Sequence, residues 1–384
     1  MIAPCLALGA AQLGVTARFF LKLRKEGTSP LPRNGPRVTV LVPCCGESEH
    51  FDRNVAALLE QDYPGEADYL FVTPSESDPA YARLRSSLAD RPARARLLAS
   101  GQRPSRCSGK AVDLLFALKH VAPDAEVLVF ADSDLRVHRR WLASLVGPFE
   151  DPAVGATTSL MLYIPEARTL PSLLRMAWMG GGLPYLELMG VVSGQSFAMR
   201  KADFEALGVA DIWGRSLLED LALYPTLRRW KKRTVFVGRA MSFSPEAAAW
   251  SGLMQVFNRW ILGFKVYAAP VWLQGLLVTA LKAYVLWWCL RPPVSWLPLA
   301  VLLGMDAANL LLLFLLYRGV LTEGFGEGAP SMRGIPALAA LVSPLLQPVY
   351  ALNFLNSLVA RDVRWGRYLY RLDGSRKLSA TPRA

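Results

Sequence analysis

The chain has only three histidines, His50, His120 and His138, and they are too scattered to offer a zinc cluster. Its five cysteines (Cys5, Cys44, Cys45, Cys107 and Cys289) include no CxxC pair and no metal-finger spacing, which excludes a disulfide scaffold and a structural zinc module. They suit a reducing compartment, and the adjacent Cys44 and Cys45 are expected to be packing residues. The phosphate-loop consensus GxxxxGK followed by Ser or Thr is missing, so the chain is not a P-loop enzyme. Acidic side chains are in the minority, 31 against 43 Lys and Arg, which leaves a formal charge of +12. No nucleic-acid module is legible, and anionic lipid beside hydrophobic spans accounts for the same basic excess.

Apolar residues are abundant, 52% of 384. They are concentrated at the two ends, which implies a soluble domain joined to membrane segments. Ile2 to Leu21 is long enough to cross a bilayer, with Arg18 placed to snorkel to the headgroups. No basic region precedes it, so residues 1–22 read as an uncleaved anchor rather than a signal peptide. Lys22, Arg24 and Lys25 follow and, by the positive-inside rule, put the downstream domain in the cytoplasm. Residues 23–36, ending in Arg33, Asn34, Gly35 and Pro36, read as a basic linker.

Near the other end, within 266–360, Val271 to Leu290 and Trp296 to Tyr317 are each of spanning length. Ile335 to Ala360 is also apolar, but Pro344 and Pro348 predict two half-helices there, re-entrant or lying on the surface. The basic tail, 361–384, should stay cytoplasmic, which one anchor, two full spans and such a hairpin would satisfy.

Between residues 37 and 265 short β-branched or aromatic runs alternate with helical ones. RVTVLVP (37–43), DYLFVTP (68–74), ARLLAS and EVLVFAD (126–132) read as strands, with helices over 53–61, 80–88 and 110–120 between them. This is the pattern of an α/β domain with a mostly parallel, Rossmann-like sheet covered on both faces. Ligands of such sheets gather at the carboxyl ends of the strands. That edge should carry Pro43 and Gly46, then Ser75, Glu76 and Asp78, then Asp132 and Asp134.

Two carboxylates directly after a buried strand are costly unless something positive meets them. Asp132 and Asp134 suit a divalent cation with bound phosphates, though acids in a turn can also cap a helix or sit in water. Lys110 opens a helix beside Gly109, a place for a phosphate or a neighbouring acid. Glu219 and Asp220, inside an apolar helical pattern, could hold a general base or simply complement a helix dipole. Arg259 and Trp260 precede the membrane section, where a guanidinium can offset a departing diphosphate and an indole can anchor at the interface. RRWKKR (228–233) reads as a solvated or lipid-facing basic turn.

Taken in order, DSDLRV, SGQSFAMRK, LLEDLALY, NRW and VRWGRYLYRL resemble the ceramide glucosyltransferase group of family 2 glycosyltransferases, as does QDYPGEADYLFVTPSESDPA, with the bacterial hopanoid-pathway relative also similar. The resemblance implies a GT-A domain on the cytoplasmic face of a membrane, the bacterial inner membrane. It also implies a UDP-sugar donor, a Mg²⁺ or Mn²⁺ ion, and a ceramide, hopanoid or diacylglycerol acceptor glycosylated with inversion. By that likeness Asp132 and Asp134 match the metal and diphosphate motif, and Asp220 matches the base, with Glu219 beside it. Arg259 and Trp260 match the end of a (Q/R)xxRW motif.

Two positions depart from the pattern. Ser75 stands where the family has a uracil-contacting aspartate, with Glu76 and Asp78 as substitutes. Val256 opens the RW motif, with Gln255 one residue early, about 100° round a helix unless a bulge compensates. A processive polysaccharide synthase would need more apolar segments than this chain has. A catalytically silent regulator would keep Ser75 and Val256 but has no use for the retained acids.

Overall fold

The computed structural model describes residues 2–27, 34–89, 94–372 and 378–382. Part of the expected linker, 28–33, lies outside the described residues, as does part of the tail, 373–377. The chain forms two compact units, each discontinuous in sequence. One comprises Met1–Lys25, Leu162–Met189 and Ala247–Arg361; the other comprises Glu26–Met161, Gly190–Glu246 and Asp362–Ala384. The 37–265 stretch is therefore divided, and the basic tail joins the second unit.

That second unit is built on a seven-stranded sheet. In chain order its strands are β1 (Val38–Pro43), β2 (Ala67–Thr73), β3 (Ala95–Ala99), β4 (Val127–Ala131), β5 (Val154–Thr158), β6 (Ser196–Arg200) and β7 (Arg233–Phe236). They lie in the order β3-β2-β1-β4-β6-β5-β7. β1 pairs in parallel with β2 and β4, Val38 facing both Ala67 and Val127, so the three strands end on one edge. β6 alone runs against its neighbours, with Ala131 opposite Ser196 and Ala156 opposite Met199. The loop ahead of β6 therefore enters at the same edge that β4 leaves. This is the mostly parallel GT-A sheet expected from the alternating pattern.

Both faces of the sheet are covered. β4 and β6 are apolar on both sides because helices pack there: Phe130 stacks on Phe197 at 5.8 Å and meets Trp213 edge-on at 4.9 Å, with Phe204 closing the group. Burial of large aromatic surface dominates such a core. Gly155 on β5 exists for the Trp230 ring, since a Cβ there would stand 1.9 Å from it. Cys44 is buried as a packing residue, but Cys45 is exposed because it follows the strand into the loop; its thiol points at Asp78, 3.7 Å away.

After the strands, three short segments, β8 (Asp362–Trp365), β9 (Tyr368–Leu372) and β10 (Leu378–Pro382), form an antiparallel sheet in the same unit. Tyr370, 2% exposed, accepts a hydrogen bond from Gly109 N–H at 3.0 Å. Ala380 N–H reaches the Ser105 carbonyl at 3.2 Å, and Arg367 pairs with Asp78 at 3.2 Å. The tail is thus structural for the segment that opens at Lys110.

The other unit is helical. Four of its helices are long and apolar enough to cross a membrane: Ile2–Gly27, Ala269–Leu290, Trp296–Phe325 and Ile335–Val359. Leu277, Leu281, Trp287, Leu341 and Leu355 stand exposed on them, as lipid-facing residues do. The two half-helices expected over 335–360 are one continuous helix. Pro344 and Pro348 lie four residues apart, so both missing donors fall on one face and the helix continues through them. The first helix runs on to Gly27, and the Arg18 guanidinium pairs with Glu187 of the helix Leu170–Met189, where Lys22 joins it at 2.6 Å.

Replacing Tyr370 by Phe would remove the hydrogen bond that holds the half-buried Gly109 donor, a loss of about 1 kcal/mol. A lowered thermal midpoint of the purified protein is the expected result; an unchanged midpoint would show that the tail does not brace this helix.

Candidate active site

The carboxyl edge of the sheet gathers four charged groups. β4 ends in Asp132, and the turn behind it is clamped from the neighbouring helix Phe51–Leu59. Asn54, fully buried, donates to the Ser133 carbonyl at 3.3 Å and accepts from Arg136 Nε at 2.9 Å. Arg136 and Phe243 complete the hold with a two-way backbone bridge. The turn between Asp132 and Asp134 is thus fixed from outside the pair.

Opposite it, Ser108 caps the helix Gly109–Leu118 by accepting from Ala111 N–H at 3.2 Å. Lys110 in its first turn meets Asp132 Oδ1 at 2.6 Å and Glu219 Oε1 at 2.7 Å. The two acids come from opposite sides of β6, one from a strand end and one from the short helix Glu219–Ala222. Glu219 is 4% exposed, so an unpaired charge there would be prohibitive. Burial works against the Lys110 ammonium, yet Asp132, Glu219 and Asp220 together hold its pKa above the ordinary value.

Asp220 faces the other way. Its Oδ2 accepts from Gly194 N–H at 2.9 Å and its Oδ1 from Leu221 N–H at 2.7 Å. Burial, then the Glu219 charge, pushes its pKa up to about 6. A carboxylate so placed is ionised at neutral pH yet basic enough to take a proton. Asp134 is pushed up to about 7 by burial and by the Asp132 and Glu246 charges.

Other expected contributors lie elsewhere along the edge. Pro43 closes β1. Ser75 shares a hydrogen bond with Ser77 at 2.9 Å, and Glu76 is exposed. Asp78 has a fully buried side chain that serves the backbone, capping its helix at Ala80 N–H (3.1 Å) and holding Gly46 N–H at 2.8 Å. Those bonds engage it as a loop-forming cap. Arg259 and Trp260 sit on the helix Trp250–Tyr267 of the helical unit. That helix is regular throughout, without the bulge that could bring Gln255 into the place of Val256, and Gln255 is exposed. The basic run 228–233 is anchored at its end by Lys232–Asp203 at 2.8 Å and by Arg233–Asp151.

Two residues of the site escape sequence reasoning. Asn54 carries no motif, being an ordinary polar residue in a helix. Gly194 has a signal only in the stretch SGQ, where a glycine precedes a strand: a Cβ there would lie 2.5 Å from Glu219 Oε1 and 3.3 Å from both Asp220 Cβ and Lys110 Nζ.

The mostly parallel sheet with an acid-rich carboxyl edge is of the GT-A kind. The chain belongs to glycosyl transferase family 21, whose model matches residues 3–378, and it is an enzyme of that class. The resemblance read from the motifs is thereby borne out. A comparison with curated proteins finds no match. Among solved structures the chain is similar to a mannosyltransferase from Pyrobaculum calidifontis, in complex with GDP-mannose and Mn²⁺. The identity there is 19%, over 93% of this chain and 99% of that one, with a TM-score of 0.49. It is also similar to glucosyl-3-phosphoglycerate synthase from Mycobacterium tuberculosis, in complex with Mn²⁺ and UDP-glucose. The identity is 16%, over 64% of this chain and 82% of that one, with a TM-score of 0.38.

Gly194→Ala would wedge a methyl group between Glu219, Asp220 and Lys110. Displacements of about 1 Å at such a site cost on the order of 10²-fold in rate. Glycosyl transfer should fall by that factor with the fold intact by circular dichroism; near-normal turnover would mean the acids need no such close fit.

Proposed function

We propose that the protein moves a sugar from a UDP-sugar to the hydroxyl of a membrane lipid, ceramide or a related lipid, with inversion at the anomeric carbon. The observation that carries this reading is the Lys110–Asp132–Glu219–Asp220 cluster at the carboxyl edge, in a chain that also carries four helices of spanning length. Donors bind at that edge of an open α/β sheet.

Asp220 is the general base. Its two backbone hydrogen bonds fix its orientation and leave each oxygen a free lone pair to receive the acceptor's proton. As the acceptor oxygen bonds to the anomeric carbon, the bond to the diphosphate breaks on the opposite face, so one displacement inverts the centre. The Glu219 and Lys110 charges tune the basicity of Asp220, the first raising and the second lowering its pKa. By the family resemblance Arg259 is the candidate for positive charge toward the leaving diphosphate, and preorganised contacts of that kind are commonly worth about 3–4 kcal/mol.

A divalent cation fits Asp132 and Asp134. Their turn is clamped, and the crowding of Asp132 and Glu246 on Asp134 marks an excess of negative charge. Among the described residues no group of three His, Cys, Asp or Glu stands close enough to cage an ion. That suits Mg²⁺ or Mn²⁺, which take one or two carboxylates and complete their shell with phosphate and water. Bound there, the ion would neutralise the charge that develops on the diphosphate.

The tail supports the topology read from the sequence. Glu246 and Asp362 belong to one folded unit, which favours an even number of crossings between them and so two full spans among the three C-terminal apolar helices. Lys22, Arg24 and Lys25 support this unit on the cytoplasmic side, in a bacterial inner membrane by the family resemblance.

Membranes containing the protein, incubated with a panel of UDP-sugars and with ceramide, hopanoid and diacylglycerol acceptors, should yield one glycolipid by mass spectrometry, and EDTA should suppress it. Asp220→Asn should abolish product while UDP binding by calorimetry persists. Unchanged transfer in that variant would remove Asp220 from the mechanism, and a wild type that binds UDP but makes no product would favour a regulatory protein. Since Asp220 works only when ionised, kcat/KM should fall about tenfold per pH unit below about 6 and be flat above it. A flat profile down to pH 5 would contradict the assignment.

A further inference from the structure

Within the helical unit lies a cavity of about 230 Å³, lined in part by Trp178, Gly182, Trp260, Lys282, Asp306 and Ser343. Its wall is mostly apolar, with Leu183, Leu310 and Leu346 among its members. Two buried donors on this wall have no hydrogen-bond partner among the described residues: the indole Nε1 of Trp178, 5% exposed, and the hydroxyl of Ser343, 4% exposed.

Neither donor can turn away cheaply. The Trp178 ring is stacked on Phe257 at 4.1 Å and on Tyr350 at 5.3 Å, and the Tyr350 hydroxyl donates to the Trp178 carbonyl at 3.0 Å. Ser343 sits in the spanning-length helix Ile335–Val359, where a serine ordinarily relieves its hydroxyl on the carbonyl four residues back; this one does not. A buried donor without an acceptor costs about 1–3 kcal/mol. The amide, ester or hydroxyl oxygens of an amphiphile are acceptors able to meet such donors within an apolar helical unit.

The same wall carries charge. Lys282, in mid-helix, pairs with Asp306 of the next helix at 2.6 Å and donates to Gln12 at 3.1 Å. Ionisable residues within spanning segments mark ligand paths far more often than scaffolding. An enclosed polar zone and an apolar wall together describe the site of one amphiphile. A volume of this size, below the ~300–1,000 Å³ of sites for drug-sized ligands, takes a headgroup and the start of a chain rather than a whole two-chain lipid.

We propose that this cavity seats the amide, ester or hydroxyl oxygens of a single lipid against Trp178 Nε1 and Ser343 Oγ, and that this lipid is the glycosyl acceptor. The second clause rests on the acceptor reading above. Trp260, read from the sequence as a substrate or interface residue, then belongs to the wall of the acceptor site.

The test uses the full chain in phosphatidylcholine nanodiscs with diazirine-bearing ceramide or diacylglycerol, photolysed and mapped by mass spectrometry. Three variants are compared: Trp178→Phe, which keeps the stack; Ser343→Ala; and Gly182→Phe, which fills the cavity from a position whose Cβ meets nothing within 4 Å. Each single donor removed should weaken labelling and raise the KM for the lipid about fivefold, as the loss of one hydrogen bond of about 1 kcal/mol predicts. Gly182→Phe should abolish both, and the KM for the UDP-sugar should not move. Labelling equal to wild type in all three variants would overturn the cavity as a lipid site. Lost labelling with an unchanged lipid KM would overturn the acceptor assignment. Cavity labelling without any glycolipid formed would instead sink the transfer reading and leave the lipid site standing.

Discussion

Lys110 is the interaction on which the catalytic unit turns. Its ammonium lies within 2.7 Å of carboxylates that reach it from two separate elements, the end of β4 and the helix Glu219–Ala222. Without it, Glu219 would be a buried charge with no counter-ion, a defect of about 3–5 kcal/mol. With it, Asp132 can end an apolar strand and Asp220 can keep a raised but still ionised carboxyl. The placement of the lysine depends in turn on Ser108 capping its helix and on Tyr370 taking the Gly109 donor. One cation thus ties the sheet edge, the β6 loop and the C-terminal strands into a single rigid corner, as preorganised electrostatics requires.

The reversal of β6 is what makes that corner accessible to Gly194. Had the strand run parallel, its preceding loop would open at the far edge, and the backbone N–H that orients Asp220 would come from elsewhere. The glycine is needed there for closeness rather than for a left-handed backbone, since the acids and the lysine fill the space where a side chain would begin.

Much of this was legible in the sequence, for identifiable reasons. β1, β2 and β4 are continuous β-branched and aromatic runs because both faces are buried, so their periodicity and their ends could be read directly. Acids after such a strand stand out because burial makes them costly. The long helix Ile335–Val359 was misread because the rule that proline breaks helices is calibrated on water, where freed carbonyls are solvated; here the helix continues through both prolines. Asn54 was invisible because its contribution is a position in space, not a residue type. The helix Leu170–Met189 was missed because its burial lies within the helical unit while its sequence interrupts an α/β pattern. Asp78 is a ligand candidate by type and also caps its helix, two roles that residue type alone does not separate.

The return of β8, β9 and β10 to the catalytic unit has a consequence for biogenesis. A chain synthesised from its amino end at about 5–20 residues per second presents the helix of Lys110 long before Tyr370 exists. The nascent sheet must therefore wait, incomplete at its functional corner, until every hydrophobic segment has left the ribosome. The corner's last contacts form only after the whole helical section has been synthesised.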